Sequence, residues 1–152
     1  MNTIRAEKDR SDYNEDFEYL NFKIEGRWLD ELLEELYPGR QFKGLIPTLM
    51  YMNREDEQAL VWQRILPEEG ERKICPILMC PDDCEFFCTL IVAEIENWGS
   101  TVLWNRIGLN TTISNNPEAV GLNVEWFQKI GMLEFEGEEY ETMLEAFRNY
   151  EY

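Results

Sequence analysis

Apolar residues recur with helical spacing in two segments of the chain. The first stripe consists of Trp28, Leu29, Leu32, Leu33, Leu36 and Tyr37, and the sequence Pro38-Gly39 ends it. The second stripe consists of Tyr140, Met143, Leu144 and Phe147. Acidic residues fill the opposite face of the first segment and the first turns of the second, where the positive helix end favours carboxylates. The pattern predicts amphipathic helices near residues 28–37 and 138–148.

The segment between these helices, residues 45–109, is predicted to be β-structure throughout. Apolar runs separated by turn-forming sequences predict four strands, at residues 59–66, 72–80, 86–96 and 101–107. The third run begins apolar on both faces, which is typical of a central strand that is covered on both sides. We therefore expect a four-stranded antiparallel meander centred on residues 86–96.

Weaker patterns lie on either side of this meander. Residues 17–24 alternate with one change of parity, which predicts a short and bulged strand. Residues 108–122 are predicted to be a loop. The spacing of Trp126, Phe127 and Ile130 predicts one helical turn, and the alternation around Leu133 and Phe135 predicts a last strand.

The domain organisation follows from these elements. Residues 1–16 are mostly charged or polar and are predicted to be a flexible lead-in. Residues 17–152 are predicted to form a single α+β domain, an antiparallel β-meander flanked by an N-terminal and a C-terminal amphipathic helix.

The charge of the chain narrows the classes of function. The chain contains 14 Lys and Arg, 31 Asp and Glu and no histidine, which gives a net charge of −17. Phosphate backbones and anionic lipid repel such a protein, so we expect neither nucleic-acid nor membrane binding. The lack of histidine excludes the commonest general base and imidazole metal ligands. No signal sequence or membrane-spanning run is present, and we expect a cytoplasmic protein.

The cysteines form a cluster in the sequence, with Cys75, Cys80, Cys84 and Cys88 separated by four, three and three residues. Four thiolates suit a tetrahedral zinc ion. However, the predicted strand over residues 72–80 would place Cys75 and Cys80 on opposite faces. We therefore expect buried packing, with no metal, cofactor or disulfide, while zinc binding and a redox role are the alternatives.

Acidic and aromatic residues supply the candidate partner-binding site. Asp82, Asp83 and Glu85 crowd a predicted turn, although their spacing matches no calcium loop. Trp98 lies at a predicted hairpin turn, and Trp104 lies in a predicted strand, a position that favours core packing over partner contact. We predict that the three acids attract a basic partner and that Trp98 or Trp104 anchors it. No catalytic residue is predicted.

Three segments resemble a group of small acidic bacterial proteins associated with immunity to polymorphic and contact-dependent toxins. The segments are CPDDCEFFCTLIVAEIE at residues 80–96, WNRIGL at residues 104–109 and VEWF at residues 124–127. The resemblance implies a cytoplasmic, non-enzymatic inhibitor that binds one cognate protein toxin. It implies no catalytic residue.

Two other functions agree with the residues. One is a small metal-binding or carboxylate-dependent enzyme domain that uses the thiols or an unspecified pair of carboxylates. The other is an adaptor subunit with an acidic surface and no toxin partner. A toxin gene beside the gene for this chain would favour the immunity function over both.

Overall fold

A computed structural model describes residues 1–11 and 16–150, which contain three α-helices and nine β-strands. The helices are α1 (Leu29–Leu36), α2 (Glu55–Arg64) and α3 (Gly137–Arg148). The strands are β1 (Ile4–Arg10), β2 (Glu18–Ile24), β3 (Arg27–Trp28), β4 (Ile46–Pro47), β5 (Arg72–Met79), β6 (Leu90–Asn97), β7 (Thr101–Asn110), β8 (Val124–Trp126) and β9 (Leu133–Glu136). The α+β class is therefore confirmed, as are helices α1 and α3.

The strands form two antiparallel sheets. The smaller sheet has the order β1-β2-β3, and the larger sheet has the order β4-β5-β6-β7-β8 with β9 also paired to β7. The ten-residue strand β7 is long enough to pair with β8 near Gly108 and with β9 near Val102. Strands β5, β6 and β7 form a meander, with β6 at its centre as predicted. The predicted bulge in β2 is absent, because its pairing with β1 runs in one continuous register.

The main core lies around the indole of Trp104 on β7, which is fully buried. Phe22, Phe135 and Tyr140 meet this ring edge to face, with ring centroids 5.8, 5.3 and 6.4 Å away. Such T-shaped contacts suit the charge distribution of aromatic rings. Residues from both sheets and from all three helices belong to this core.

The prediction of a flexible lead-in over residues 1–16 is wrong for residues 4–10, which form strand β1. This strand escapes detection because Ile4 is its only fully buried residue, and charged side chains follow. Cross-strand ion pairs connect it to β2, for example Glu7 to Lys23 at 3.7 Å. The backbone N–H of Ile4 also donates to the carboxylate of Glu139 on α3, at 2.6 Å. Residues 12–15 lie outside the described residues.

The predicted strand over residues 59–66 is also wrong, because residues 55–64 form helix α2. Its buried positions are Glu57, Leu60 and Val61, followed by Ile65. This spacing of three, one and four residues is typical of a helix. However, the first buried position is the charged residue Glu57, which an apolar pattern does not reveal. The predicted four-stranded meander therefore loses its first strand.

Two further local predictions differ from the structure. Residues 86–89 lie in a loop rather than in the central strand, which begins only at Leu90. Trp126 ends strand β8, and residues 127–130 that follow it are not helical, so the helical turn predicted for Trp126, Phe127 and Ile130 is wrong. Gly108 allows β8 to approach, since a Cβ atom there would lie 2.6 Å from the carbonyl oxygen of Glu125.

An ion triad crosses the larger sheet. Glu94 on β6 is 6% exposed and accepts hydrogen bonds from Arg106 at 2.7 Å and Arg72 at 3.1 Å. Burial acts to raise the pKa of the Glu94 carboxyl, but the two guanidinium groups outweigh it and lower that pKa. The Arg106 guanidinium also lies 4.0 Å from the ring centre of Trp126, which connects the triad to β8.

Candidate partner-binding site

The predicted acidic turn lies in a ten-residue loop, residues 80–89, that connects β5 to β6; we call it the acidic loop. The backbone N–H of Cys80 donates to the carbonyl of Thr89 at 3.2 Å, which closes the base of the loop. The N–H of Cys84 donates back to the carbonyl of Cys80 at 3.1 Å, which tightens the turn. Asn53 then donates from its backbone to the carbonyl of Cys84 at 3.1 Å. These bonds constrain the backbone of the loop at both ends and at its turn.

The carboxylates of the acidic loop lie at the surface, as the sequence predicted. Asp82 and Asp83 are exposed and Glu85 is half-buried. The loop contains no lysine or arginine. Three negative charges without a cation in the same segment create a local negative potential.

A second segment, residues 110–117, faces the acidic loop; we call it the polar loop. The hydroxyl of Thr112 accepts the N–H of Asn123 at 2.9 Å and donates to its carbonyl at 3.2 Å. Asn116 accepts the N–H of Glu118 at 3.1 Å and so caps a short 3-10 helix over Pro117–Ala119. The polar loop is therefore also held by local hydrogen bonds.

Helix α2 is hydrogen-bonded to the chain that directly follows the polar loop. The guanidinium of Arg64 donates to the carbonyls of Val120 at 3.2 Å, Glu118 at 3.1 Å and Ile74 at 3.1 Å. One side chain thus connects α2, β5 and the chain that follows the polar loop. This arrangement ties the chain after the polar loop to α2 and β5.

A groove of about 320 Å³ lies between the acidic loop and the polar loop. Its floor includes the nearly buried Glu57 and Val120, which are 1% and 7% exposed. Its lips carry two exposed apolar side chains, Phe87 at 63% and Ile113 at 99%. Exposed apolar residues that line one groove are typical of a protein contact site.

The carboxylate of Glu57 is the charged group on the floor of the groove. It accepts the backbone N–H of Phe86 at 3.2 Å, and the Arg54 guanidinium lies 3.9 Å away. Burial raises the pKa of the Glu57 carboxyl, and the Phe86 N–H and Arg54 oppose this only in part. Asp56 and Glu85 raise it further through repulsion. The groove therefore holds a carboxylate that a cationic group would stabilise.

The structure does not bring together the five residues predicted to bind a partner. Trp98 is 62% exposed and lies at the β6–β7 turn, as predicted. That turn and the acidic loop lie at opposite ends of the eight-residue strand β6, which is about 25 Å long. Hydrogen bonds from Asn105 and the Trp98 indole lower the pKa of the Glu96 carboxyl at that end. Trp98 therefore belongs to a different surface.

The prediction of Trp104 as an exposed anchor is wrong, because its side chain is fully buried in the core. Its indole N–H donates to the Tyr140 hydroxyl at 3.1 Å. The structure shows core packing, the role that its position in a strand favours. The alternation of residues along β7 predicted that Trp104 lies in a strand. It did not determine which face of the sheet its side chain occupies.

Sequence reasoning missed Phe87, Ile113 and Glu57. Phe87 was assigned to a buried strand because it continues an apolar run, whereas it lies in the acidic loop. Ile113 carries a usable signal, since it is a single apolar residue within the polar sequence NTTISNNP. Glu57 has no such signal, because its burial depends on the packing of α2.

The cysteines divide into one core residue and three loop residues. Cys75 on β5 is fully buried, as predicted, and burial raises the pKa of its thiol far above the ordinary range. Cys80 and Cys88 are half-buried and lie outside the strands. Cys80 follows the end of β5 at Met79, so the prediction that a strand places it on the opposite face from Cys75 is wrong. Burial, together with a hydrogen bond to Cys80, raises the pKa of the Cys88 thiol to about 11.

One group of side chains in the described residues has the arrangement of metal ligands. The sulfur atoms of Cys80 and Cys88 and a carboxylate oxygen of Asp83 all lie within 4.8 Å of one another. Asp83 therefore belongs both to the acidic surface and to this cluster. Cys84 lies beside the cluster, and its thiol donates to the carbonyl of Pro81 at 3.4 Å.

Comparison with protein-family models, curated proteins and solved structures finds no match. Across residues 1–11 and 16–150, each helix is too short or too polar to cross a bilayer.

Proposed function

We propose that this protein is a non-enzymatic immunity protein that binds and neutralises a cognate toxin through the groove. The observation that carries the proposal is that two exposed apolar residues, Phe87 of the acidic loop and Ile113 of the polar loop, line the same groove. The proposed partner is a cytoplasmic protein with a basic surface, and neither nucleic acid nor a membrane is proposed.

The charge around the groove favours a basic partner. Residues 80–89 and 110–120 contain four carboxylates, Asp82, Asp83, Glu85 and Glu118, and no lysine or arginine. These four are part of the net charge of −17, and Arg64 on α2 pairs with the Glu118 carboxylate at 3.3 Å. A field of one sign raises the association rate of an oppositely charged partner by roughly 10–10³. A toxin that acts on nucleic acid needs a basic surface, which such a protein can cover.

The apolar side chains supply the short-range contact. Phe87 has only two side-chain torsions to fix, so it loses little entropy when a partner covers it. The groove volume of about 320 Å³ lies at the lower end for ligand sites, so it suits one or two side chains of a partner. An inserted Lys or Arg would pack its stem on Phe87 and bring its charge towards Glu57.

The decisive experiment is co-expression with the protein encoded beside this chain. We expect the neighbouring protein to be toxic alone, and cells that also make this chain to survive. Purified chain should form a complex with that protein and should turn over no substrate. Cell death despite folded chain, or catalytic turnover by the chain alone, would contradict the proposal.

Two matched aromatic variants locate the binding surface. Phe87→Ala should increase the dissociation rate by about 30-fold, which corresponds to a hot spot of about 2 kcal/mol. Trp98→Ala removes an equally exposed aromatic residue at the other end of β6 and should change the rate little. The opposite result would place the interface at the β6–β7 turn, where the sequence first predicted the aromatic anchor.

The contribution of the acidic loop to the association rate is measured separately. The combined variant Asp82→Asn, Asp83→Asn, Glu85→Gln should slow association and leave the unfolding midpoint nearly unchanged. Raising the salt concentration from 0.1 to 1 M shortens the Debye length from about 10 to about 3 Å, so wild-type association should slow steeply. A salt-independent association rate would show that the acidic loop does not attract the partner.

A further inference from the structure

Two thiols and one carboxylate converge at the base of the acidic loop. The ligand atoms of Cys80, Asp83 and Cys88 all lie within 4.8 Å of one another. Around a tetrahedral zinc ion with Zn–S bonds of about 2.3 Å, neighbouring ligand atoms lie roughly 3.8 Å apart. The three groups therefore need to approach one another by only about 1 Å.

The backbone explains why these three residues meet although they are not adjacent in the sequence. The hydrogen bond from the Cys80 N–H to the Thr89 carbonyl brings both ends of the loop together, with Cys88 next to Thr89. The bond from the Cys84 N–H to the Cys80 carbonyl turns the chain back so that Asp83 returns to the same place. The cluster is thus a product of the loop fold.

We propose that Cys80, Asp83 and Cys88 form a zinc-binding site, with solvent as the fourth ligand. Thiolates favour zinc over magnesium and calcium, which prefer oxygen ligands only. A site with three protein ligands and one open position is an established form of zinc coordination. This site replaces the expectation that the cysteines only pack, and it does not depend on toxin binding because it rests on ligand geometry alone.

The other two cysteines provide matched controls. Cys84 lies in the same loop, but its thiol donates to the Pro81 carbonyl at 3.4 Å and lies outside the cluster. Cys75 is fully buried on β5, and its thiol donates to the Val61 carbonyl at 3.5 Å. Cys84→Ser therefore removes one loop thiol without removing a proposed ligand.

The experiment titrates the reduced, metal-free chain with Co²⁺ and then Zn²⁺ under anaerobic conditions, without a histidine tag. The chain contains no histidine, so imidazole cannot contribute to the signal. We expect one Co²⁺ per chain, with thiolate charge-transfer absorption and the d–d bands of tetrahedral cobalt, and displacement by stoichiometric Zn²⁺ but not by Mg²⁺. Cys80→Ser and Cys88→Ser should weaken binding by more than about 100-fold, beyond the roughly 10–100-fold loss for an outer-shell partner.

The ligand assignment has its own controls. Asp83→Asn should weaken binding by about 10-fold or more, whereas Cys84→Ser and Asp82→Asn should retain wild-type affinity. Equal losses in Cys84→Ser and Cys80→Ser, or no stoichiometric binding by wild type, would overturn the site. A chain that forms a Cys80–Cys88 disulfide in air and binds no zinc after reduction would also overturn it.

A second measurement avoids any folding defect in the variants. Zinc added to the wild-type chain should protect Cys80 and Cys88 from alkylation while Cys84 still reacts, as mapped by mass spectrometry of peptides. Uniform reactivity of the three loop thiols in the presence of zinc would contradict the proposal.

Discussion

The indole N–H of Trp104 donates to the hydroxyl oxygen of Tyr140 across 3.1 Å. The hydroxyl of Tyr140 donates in turn to the carbonyl of Ile65, at 2.6 Å. Both aromatic side chains are fully buried, so water cannot replace either hydrogen bond. One phenol therefore connects β7, α3 and the end of α2.

Tyr140→Phe tests this connection. The variant keeps the ring but leaves the Trp104 N–H and the Ile65 carbonyl unpaired in the core, which should lower the free energy of unfolding by about 1–3 kcal/mol. Urea denaturation measures the change. Tyr37→Phe is the matched control: it loses an exposed hydrogen bond to the Lys129 N–H, which water can replace, and its effect should be clearly smaller. Equal effects would contradict the prediction.

Glu94→Gln should destabilise the protein at neutral pH by roughly 1–3 kcal/mol, because it removes the charge that Arg72 and Arg106 hold. The pKa of Glu94 is lowered in the folded protein, so its contribution is present above the unfolded glutamate pKa of about 4.3. It is lost as the pH falls through the lower, folded pKa. The difference between wild type and variant should therefore vanish in acid. Glu125→Gln, in an exposed pair with Arg40, is the control and should have a small effect.

Glu57→Gln should show the opposite pH trend. The pKa of Glu57 is raised in the folded protein, so its favourable contribution is complete below about pH 4.3 and is lost as the pH rises through the folded pKa. Glutamine does not ionise, so the stability of the variant relative to wild type should increase from acid to neutral pH. Unfolding measured across this range tests the sign, and a parallel curve for both proteins would contradict it.

Gly121→Ala and Gly70→Ala form a matched pair. Both glycines have φ of +88°, so an alanine costs about 1–2 kcal/mol at either position. At Gly121 the new Cβ would also lie 2.6 Å from Cγ2 of Ile74, whereas the space at Gly70 is open. Overpacking should add about 1–3 kcal/mol to the Gly121 variant alone. Thermal or urea unfolding of both variants gives the difference directly, and equal midpoints would contradict the steric argument.

The elements with strong periodicity were predictable from the sequence. Helices α1 and α3 and strands β7 and β9 have apolar residues at regular spacing. Helix α2 was not predictable in this way, because its inner face includes Glu57, whose burial depends on Arg54 and the Phe86 N–H. Strand β1 was missed because pairing with β2, rather than apolar alternation, holds it.

The candidate site was predictable only in part. The sequence Pro-Asp-Asp at residues 81–83 is typical of a turn, and the turn forms there. The exposure of Phe87 could not be deduced, since an apolar run has the same pattern in a buried strand and in a loop that protrudes from a sheet. The convergence of Cys80 with Cys88 depends on the loop hydrogen bonds, which residue spacing does not encode.

The hydrogen bond between Ile4 and Glu139 has a consequence for synthesis on the ribosome. The two residues are 135 positions apart in the sequence. At about 5–20 residues per second, β1 emerges roughly 7–27 s before α3 is made. During that interval Ile4 has no helix to cover it, and the edge of β1 is open to other nascent chains. The charged residues of β1, among them Arg5, Glu7 and Lys8, then disfavour pairing of this strand with other chains. They have this effect before the folded sheet exists.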